Sequence, residues 1–524
     1  MKKSRAQRVA MNTTAGFASK LLGFFVQFFL RAVFIRSLGI EYSGVSSLFT
    51  SILSMLSLAE LGLGSAITFA LYTPLQKGDM RQVARLMNFY RLAYRLVAAL
   101  VFFGGLCLVP FLDLIIKDVP NIKENITLLY ILYLFQSASS YLLIYRSALL
   151  TASQSRYIIS IVESVTLVVS TVVEVILLLV FRNFLLYLLA CIVFNLLRNI
   201  VTSLLAKQRF TPDAQYAHEH LPPEEKRAFL LNVAAMAMYN IAKVAIKATD
   251  DIVISSMLGT AIVGFVGNYK IIRSGIDGMI DQFHAALIPS VGNLATTSEG
   301  NAAGQYRVFQ TVNFLSFWVC CCCCCAFFVL MDPFIADFWL GASYVMPAPI
   351  KASIILDFYI ANMLYACGTF RNANGLFVQG KWCPAIMAAI NVVLSFALVK
   401  PLGAFGVLIA TAISRIVTQF WYDPRLLFRK LFNRPLREYF VVYLQYAFIT
   451  LICCAASYGL ASLVPNQHKL LHLAALALIC LIIPNGVICL LYHRTPQFQY
   501  CKAKLLHFSS KACRTLRRKG EKRS

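Results

Sequence analysis

Uninterrupted apolar runs of twenty residues and more dominate the chain, separated by short polar breaks rich in Lys and Arg. Wound as a helix, about 20 apolar residues match the hydrocarbon thickness of a bilayer. Runs of this kind exclude a transmembrane barrel, whose strands read as alternating segments of about ten residues. With 59% of 524 residues apolar and 14% charged, the chain holds more apolar side chains than a soluble core buries. That fraction supplies about 14 or 15 helical spans and leaves no room for a large soluble catalytic module. The sequence predicts an all-α polytopic membrane protein.

Reading the runs against their polar breaks predicts fourteen spans, at 15–35, 46–72, 92–116, 126–150, 158–181, 184–205, 229–258, 262–288, 308–330, 350–367, 383–399, 402–422, 439–463 and 470–491. Lys351 and Asp357 interrupt the tenth. The basic stretch 1–8 leads into a run broken by Lys20 and Arg31 with no small-x-small cleavage pattern, so a retained first span is expected. The expected organisation is a six-helix bundle over 1–206, a cytoplasmic linker over 207–228 in which Pro212, Pro222 and Pro223 break any helix, a second six-helix bundle over 229–424, two additional helices over 425–492, and a basic tail over 493–524.

The net charge of +25 would suggest nucleic acid in a soluble protein. In a multispanning one, sidedness comes first, because cytoplasmic loops are enriched in Lys and Arg. One alternate set of connections and termini holds 33 of the 48 basic residues, the other holds seven, and eight lie inside spans. The asymmetry puts both termini in the cytoplasm, and it accounts for the charge without a nucleic-acid partner. The tail, with Lys511, Arg514, Arg517, Arg518 and Lys519, is expected to lie on the anionic lipids of the inner leaflet.

A repeat of 220 residues is visible. Leu38, Gly39 and Gly44 precede the second span as Leu258, Gly259 and Gly264 precede the eighth, and the same offset lays Gln27 on Lys247 and Arg31 on Asp251. Two pseudo-symmetric halves of six spans are expected, with the last pair appended.

Charges inside spans are costly and mark either register pairs or a watery cavity. Lys243, Lys247, Asp250 and Asp251 fall on one helical face of the seventh span, and Lys270, Arg273, Asp277 and Asp281 on one face of the eighth. Eight charges exceed what helix register needs, so a cavity is expected between these faces. Lys20, Gln27 and Arg31 share a face of the first span, Glu60 lies in the second, and Glu163 and Glu174 share a face of the fifth. A lone acid such as Glu174 is expected to be satisfied by a neighbouring hydroxyl. Cations converging with acids suit an anionic group whose field the acids temper. Arg31, Lys243, Lys247, Lys270 and Arg273 are the cations so placed. The acids Glu60, Asp250, Asp251, Asp277, Asp281, Glu163 and Glu174 would pair charges or couple an ion, H+ or Na+.

Signals for an enzyme are poor. The string from Gly375 to Lys381 mimics a phosphate-binding loop, but Trp382 stands where Ser or Thr would hold magnesium. The seven histidines are few and scattered, so neither a histidine metal site nor a histidine-based triad is expected. The six consecutive cysteines Cys320 to Cys325 point in every direction around a helix and read as small apolar side chains, not as a metal site or disulfide framework. No cofactor is expected.

The segment from Asn391 to Leu394, with Leu402, Gly403 and Gly406 and then Ala410, Thr411 and Ser414, resembles the eleventh-to-twelfth span signature of polysaccharide transporters in the multidrug/oligosaccharidyl-lipid/polysaccharide (MOP) superfamily. The strings Leu38-Gly39 to Gly44 and Ala59-Glu60-Leu61-Gly62 resemble that family's first two spans. The resemblance implies a bacterial inner-membrane flippase. It would carry an undecaprenyl-pyrophosphate-linked oligosaccharide from inner to outer leaflet by alternating access, for cell-surface polysaccharide biosynthesis, beside a polymerase and glycosyltransferases. It also implies a central cationic cavity for the pyrophosphate and sugars, which Arg31, Lys243, Lys247, Lys270 and Arg273 would line. Two alternatives are a multidrug or cation antiporter of the same fold, which would prefer acids in its cavity, and a membrane glycosyltransferase or polymerase, which would need a sizeable extracytoplasmic loop.

Overall fold

A computed structural model describes residues 5–57, 63–117, 120–209, 216, 219, 221–226, 248–297, 302–374, 376, 382–466 and 468–503. Every regular element among them is helical. In chain order the helices are α1 (Arg5–Leu38), α2 (Ile40–Leu56), α3 (Leu63–Lys77), α4 (Met80–Leu106), α5 (Leu112–Ile115), α6 (Ile126–Ile144), α7 (Ser147–Ala152), α8 (Arg156–Ile176) and α9 (Phe184–Arg209). There follow α10 (248–258), α11 (Thr260–Thr297), α12 (Ala302–Pro333), α13 (Ala348–Met363), α14 (Tyr365–Ala373), α15 (Cys383–Val417), α16 (Gln419–Leu427), α17 (Arg437–Ala461) and α18 (Lys469–Tyr492). Backbone groups have no water to bond in hydrocarbon, which makes the helix the obligatory form for these runs.

Ten helical stretches among the described residues are long and apolar enough to cross a membrane. They cover eleven of the fourteen expected spans, because the eleventh and twelfth form one stretch, Cys383–Phe432. That stretch bends at Gly403 (φ 58°, ψ −143°), two residues after Pro401. A proline removes a backbone donor and a glycine tolerates the left-handed turn, so the kink does the work of a loop. The expected second span is flanked by α2 and α3, with 58–62 outside the described residues. The seventh falls mostly on residues 227–247, also outside them. The eighth is present as α11 but carries too many charges to count by composition.

Boundaries differ where capping, and not apolarity, sets the helix end. The third span was expected from residue 92, yet α4 starts at Met80 because the Asp79 side chain accepts from the Gln82 backbone N–H at 2.9 Å. The fourth breaks after Ile144 and resumes as α7. The tenth is continuous through its two charges, since Lys351 pairs with Asp332 and Asp357 with Arg415. Arg371, expected in a cytoplasmic loop, is 2% exposed inside α14 and bonded to Asp423 at 2.6 Å.

Contacts group the chain into two compact units, Met1–Gly275 with Pro384–Ser414, and Ile276–Cys383 with Arg415–Ser524. In the first, α1 packs on α8, α8 on α9, and α6 on both α4 and α9. In the second, α12 is the central helix and packs on α13, α17 and α18. Its cysteine run is divided by helix geometry: Cys320, Cys321, Cys324 and Cys325 are buried while Cys322 and Cys323 are half-buried.

In the first unit the described part of the linker lies along the start of α4. Glu219 accepts from Arg81 Nε at 2.8 Å and Arg85 Nε at 2.6 Å, Gln82 donates to Glu225 at 2.7 Å, and Asn88 donates to the Tyr216 and Glu219 carbonyls. The Arg81 hydrogen bond, followed by Arg85, holds the Glu219 carboxyl below the usual carboxylate range.

The two glycine turns of the 220-residue repeat meet within this unit. Gly39 and Gly259 both sit at positive φ, 101° and 96°, each between two helices. A Cβ on Gly44 would lie 1.9 Å from the Thr260 carbonyl oxygen, and one on Gly264 would lie 2.7 Å from the Ile40 carbonyl oxygen. Only glycine permits α2 and α11 to touch backbone to backbone. Neighbouring contacts cover the junction: Lys117 Nζ donates to the Met257 carbonyl at 2.9 Å, and Tyr42 OH donates to Glu124 at 2.7 Å.

Candidate substrate site

The first unit brings together three of the expected cations. Arg31 on α1 donates through Nε to Asn268 Oδ1 at 3.0 Å and through Nη2 to the Gly264 carbonyl at 3.3 Å. Gly267, one turn before Lys270, leaves room for that guanidinium, since a Cβ there would meet Nη2 at 3.0 Å. Lys270 Nζ is 2.6 Å from Asp251 Oδ1, and Ser51 Oγ donates to Asp251 Oδ2 at 2.7 Å. Arg31 and Asp251 are near enough to interact electrostatically, as are Lys270 and Arg273. The group so described holds three cations and one acid, Asp251.

Asp250 faces another way. Its carboxylate accepts from Thr411 Oγ1 at 3.2 Å, and Thr411 in turn accepts from Asn391 Nδ2 at 2.9 Å. All three are buried. Sequence reading placed Asn391 and Thr411 in a signature string without giving them a role, and it missed Asn268 and Ser51 entirely. The available signal was polar residues of small volume within apolar runs, which carries no information about partners.

The remaining expected residues separate. Lys243, Lys247 and Glu60 lie outside the described residues. Glu174 is 6% exposed on α8, and the Ser170 hydroxyl one turn before it donates to the Leu167 carbonyl at 3.2 Å. Glu163, expected on the same face, is exposed. Asp277 and Asp281 belong to the second unit, where Asn362 Nδ2 donates to Asp277 at 3.1 Å and the Tyr365 hydroxyl donates to Asp281. The Tyr365 ring stacks on His284 at 5.0 Å, beside a cavity of about 260 Å³ lined by Met279, His284, Leu315, Ser316 and Asn362 among others. Asp357 and Arg415 pair in this unit at 2.9 Å.

Electrostatically the first-unit group favours an anion. Asp251 is engaged by Lys270 and Ser51, whereas the acceptors that Arg31 bonds among the described residues, Asn268 and the Gly264 carbonyl, are neutral. The Asn268 amide nitrogen beside it is buried and lacks a partner, so it remains available as a donor.

No protein-family model and no curated protein matches the chain. Solved structures do. The fold is that of transporters of the MOP superfamily. The lipid II flippase MurJ in an inward closed conformation superposes with a TM-score of 0.65 at 14% identity, over 92% of this chain and 99% of that one. A Vibrio cholerae MATE transporter gives 0.56 at 13% identity, over 82% and 98%. A MOP superfamily transporter from Pyrococcus furiosus, described as having a binding pocket of reverse polarity, gives 0.51 at 14% identity, over 80% and 96%.

Proposed function

We propose that the chain is a flippase that carries an undecaprenyl-pyrophosphate-linked oligosaccharide from the inner to the outer leaflet of a bacterial inner membrane, by alternating access and without ATP hydrolysis. The observation that carries this reading is the Arg31 guanidinium, bonded to Asn268 and a backbone carbonyl, with an unpartnered amide donor beside it. Such a donor-rich group suits a phosphate. The flippase among the structural neighbours supports the same class of cargo. An antiporter for cationic drugs needs an acid free to receive its substrate, and Asp251 is engaged by Lys270 and Ser51. Membrane potential supplies the drive: an interior-negative potential favours outward movement by about 2.3 kcal/mol per charge per 100 mV, so two phosphate charges gain roughly 5 kcal/mol. H+ or Na+ coupling through Asp250 would add to this. The two six-span halves rock about the 207–228 linker, both termini face the cytoplasm, and a polymerase and glycosyltransferases act on either side of the transport step.

Replacing Arg31 tests the assignment. Arg31→Gln stops lipid-linked glycan reaching the outer leaflet while membrane abundance of the protein stays within about twofold. Undiminished outer-leaflet glycan in that variant would refute the role of Arg31.

A further inference from the structure

A second donor-rich group lies in the first unit on other helices. Arg91 is on α4, Tyr145 and Arg146 form the break between α6 and α7, and Asn199 and Ser203 are one turn apart on α9. These helices pack on one another, α6 against α4 and α9, and α7 against α9. Arg91 Nε donates to the Tyr145 hydroxyl oxygen at 3.2 Å and Arg146 Nε donates to the same oxygen at 3.0 Å. Arg146 Nη1 donates to Ser203 Oγ at 3.0 Å. Both guanidiniums also lie over the Tyr145 ring, at 5.7 and 5.5 Å from its centre.

Two like charges share one neutral oxygen here, and among the described residues no carboxylate bonds to either. That is unlike the arginines nearby in sequence, Arg81 and Arg85, which share Glu219. The hydrogen-bond inventory is one-sided. Accepting two N–H groups occupies both lone pairs of the Tyr145 oxygen and leaves its proton to be donated; Ser203 accepts one N–H and also keeps a proton to donate. The Asn199 amide nitrogen is buried, with the residue 6% exposed, and has no partner. Among the described residues no acceptor receives the Tyr145 and Ser203 hydroxyl protons or the Asn199 amide, one turn from Ser203. An orphan buried donor is costly, and close like charges add to that cost, so the arrangement calls for an acceptor-rich anion.

We infer that Arg91, Tyr145, Arg146, Asn199 and Ser203 form a binding site for a phosphate-class anion. Arginine forks match phosphate oxygens two at a time, and the remaining donors reach the others. The charge asymmetry of the sequence places this end of α4, α6 and α9 at the cytoplasmic leaflet. The phosphate is therefore that of a lipid headgroup, that of an isoprenoid pyrophosphate, or a free anion.

Binding is measured without any transport step. Full-length protein in phosphatidylcholine nanodiscs is titrated calorimetrically with inorganic pyrophosphate and with farnesyl pyrophosphate, and protein extracted from phosphatidylglycerol-containing membranes is weighed by native mass spectrometry for retained phosphatidylglycerol. At least one probe binds, and Arg91→Gln with Arg146→Gln weakens it at least about tenfold. Arg434→Gln, whose side chain pairs with Glu438 elsewhere, changes nothing. Binding of inorganic pyrophosphate identifies the anion alone as sufficient; binding of farnesyl pyrophosphate only, or phosphatidylglycerol only, identifies which lipid supplies it. Should the double variant fail to accumulate, Asn199→Leu decides, since it keeps both charges and removes the orphan donor; a loss of about fivefold is expected. Failure of all three probes to bind, or equal binding by wild type and variant, overturns the site. Either result leaves the Arg31 transport assay to be judged separately.

Discussion

Single charges show most clearly what a sequence conveys and what it withholds. Lys270 and Asp251 were each recognisable as costly residues within apolar runs, and the structure pairs them at 2.6 Å. Their pairing depends on which helix faces land together, and spacing along one helix does not encode that. Arg371 makes the point more sharply, because a break at Asn372 to Gly375 reads as a loop while the side chain is in fact buried against Asp423. Both partners of this pair are nearly inaccessible, with side chains 3% and 1% exposed. Removing one charge strands the other in a low-dielectric site, at a cost of about 3 kcal/mol. Asp423→Asn should therefore lower the unfolding temperature of detergent-solubilised protein, and Arg371→Met combined with Asp423→Leu should restore most of it. Equal losses in the single and double variants would show that the pair itself is not what matters.

At the level of helices, apolar runs located the elements and local chemistry set their ends. The Asp79 cap carries α4 to Met80, well ahead of the apolar run, and the Pro401–Gly403 kink turns two expected spans into one bent stretch. Gly39 and Gly44 are five residues apart yet serve different ends. Gly39 supplies a positive φ in open space, so Gly39→Ala costs about 1 kcal/mol of backbone strain. A methyl on Gly44 runs into the Thr260 backbone, which cannot rotate aside, so Gly44→Ala must part α2 from α11 and costs about 2–3 kcal/mol. Thermal unfolding of the two variants compares them directly. A Gly44→Ala protein as stable as wild type would mean that the two turns are not in backbone contact. The repeat visible in the sequence located both turns; that they touch is a property of packing.

For the molecule as a whole, the division of 33 basic residues against seven across alternate connections predicts cytoplasmic termini. Reporter fusions at Pro465 and after Ser524 should read outside and inside respectively, and the same compartment at both would break the topology. An even number of crossings is compatible with the kinked Cys383–Phe432 stretch only if its two arms count separately, which makes Gly403 a turning point of the topology as well as of the helix.

The sequence by itself determined that the chain is helical and that it spans a bilayer many times, and its loop charge predicts which way it points. Those properties follow from transfer free energies and loop charge, which sum over residues irrespective of neighbours. Tertiary structure alone decided which polar side chains meet. Arg31 on Asn268, Asp250 on Thr411 and Arg91 on Tyr145 join positions 54 to 237 residues apart in the chain. Hydrogen bonds and ion pairs act over a few ångströms and depend on direction, so they come into being only once helix faces have been fixed against one another.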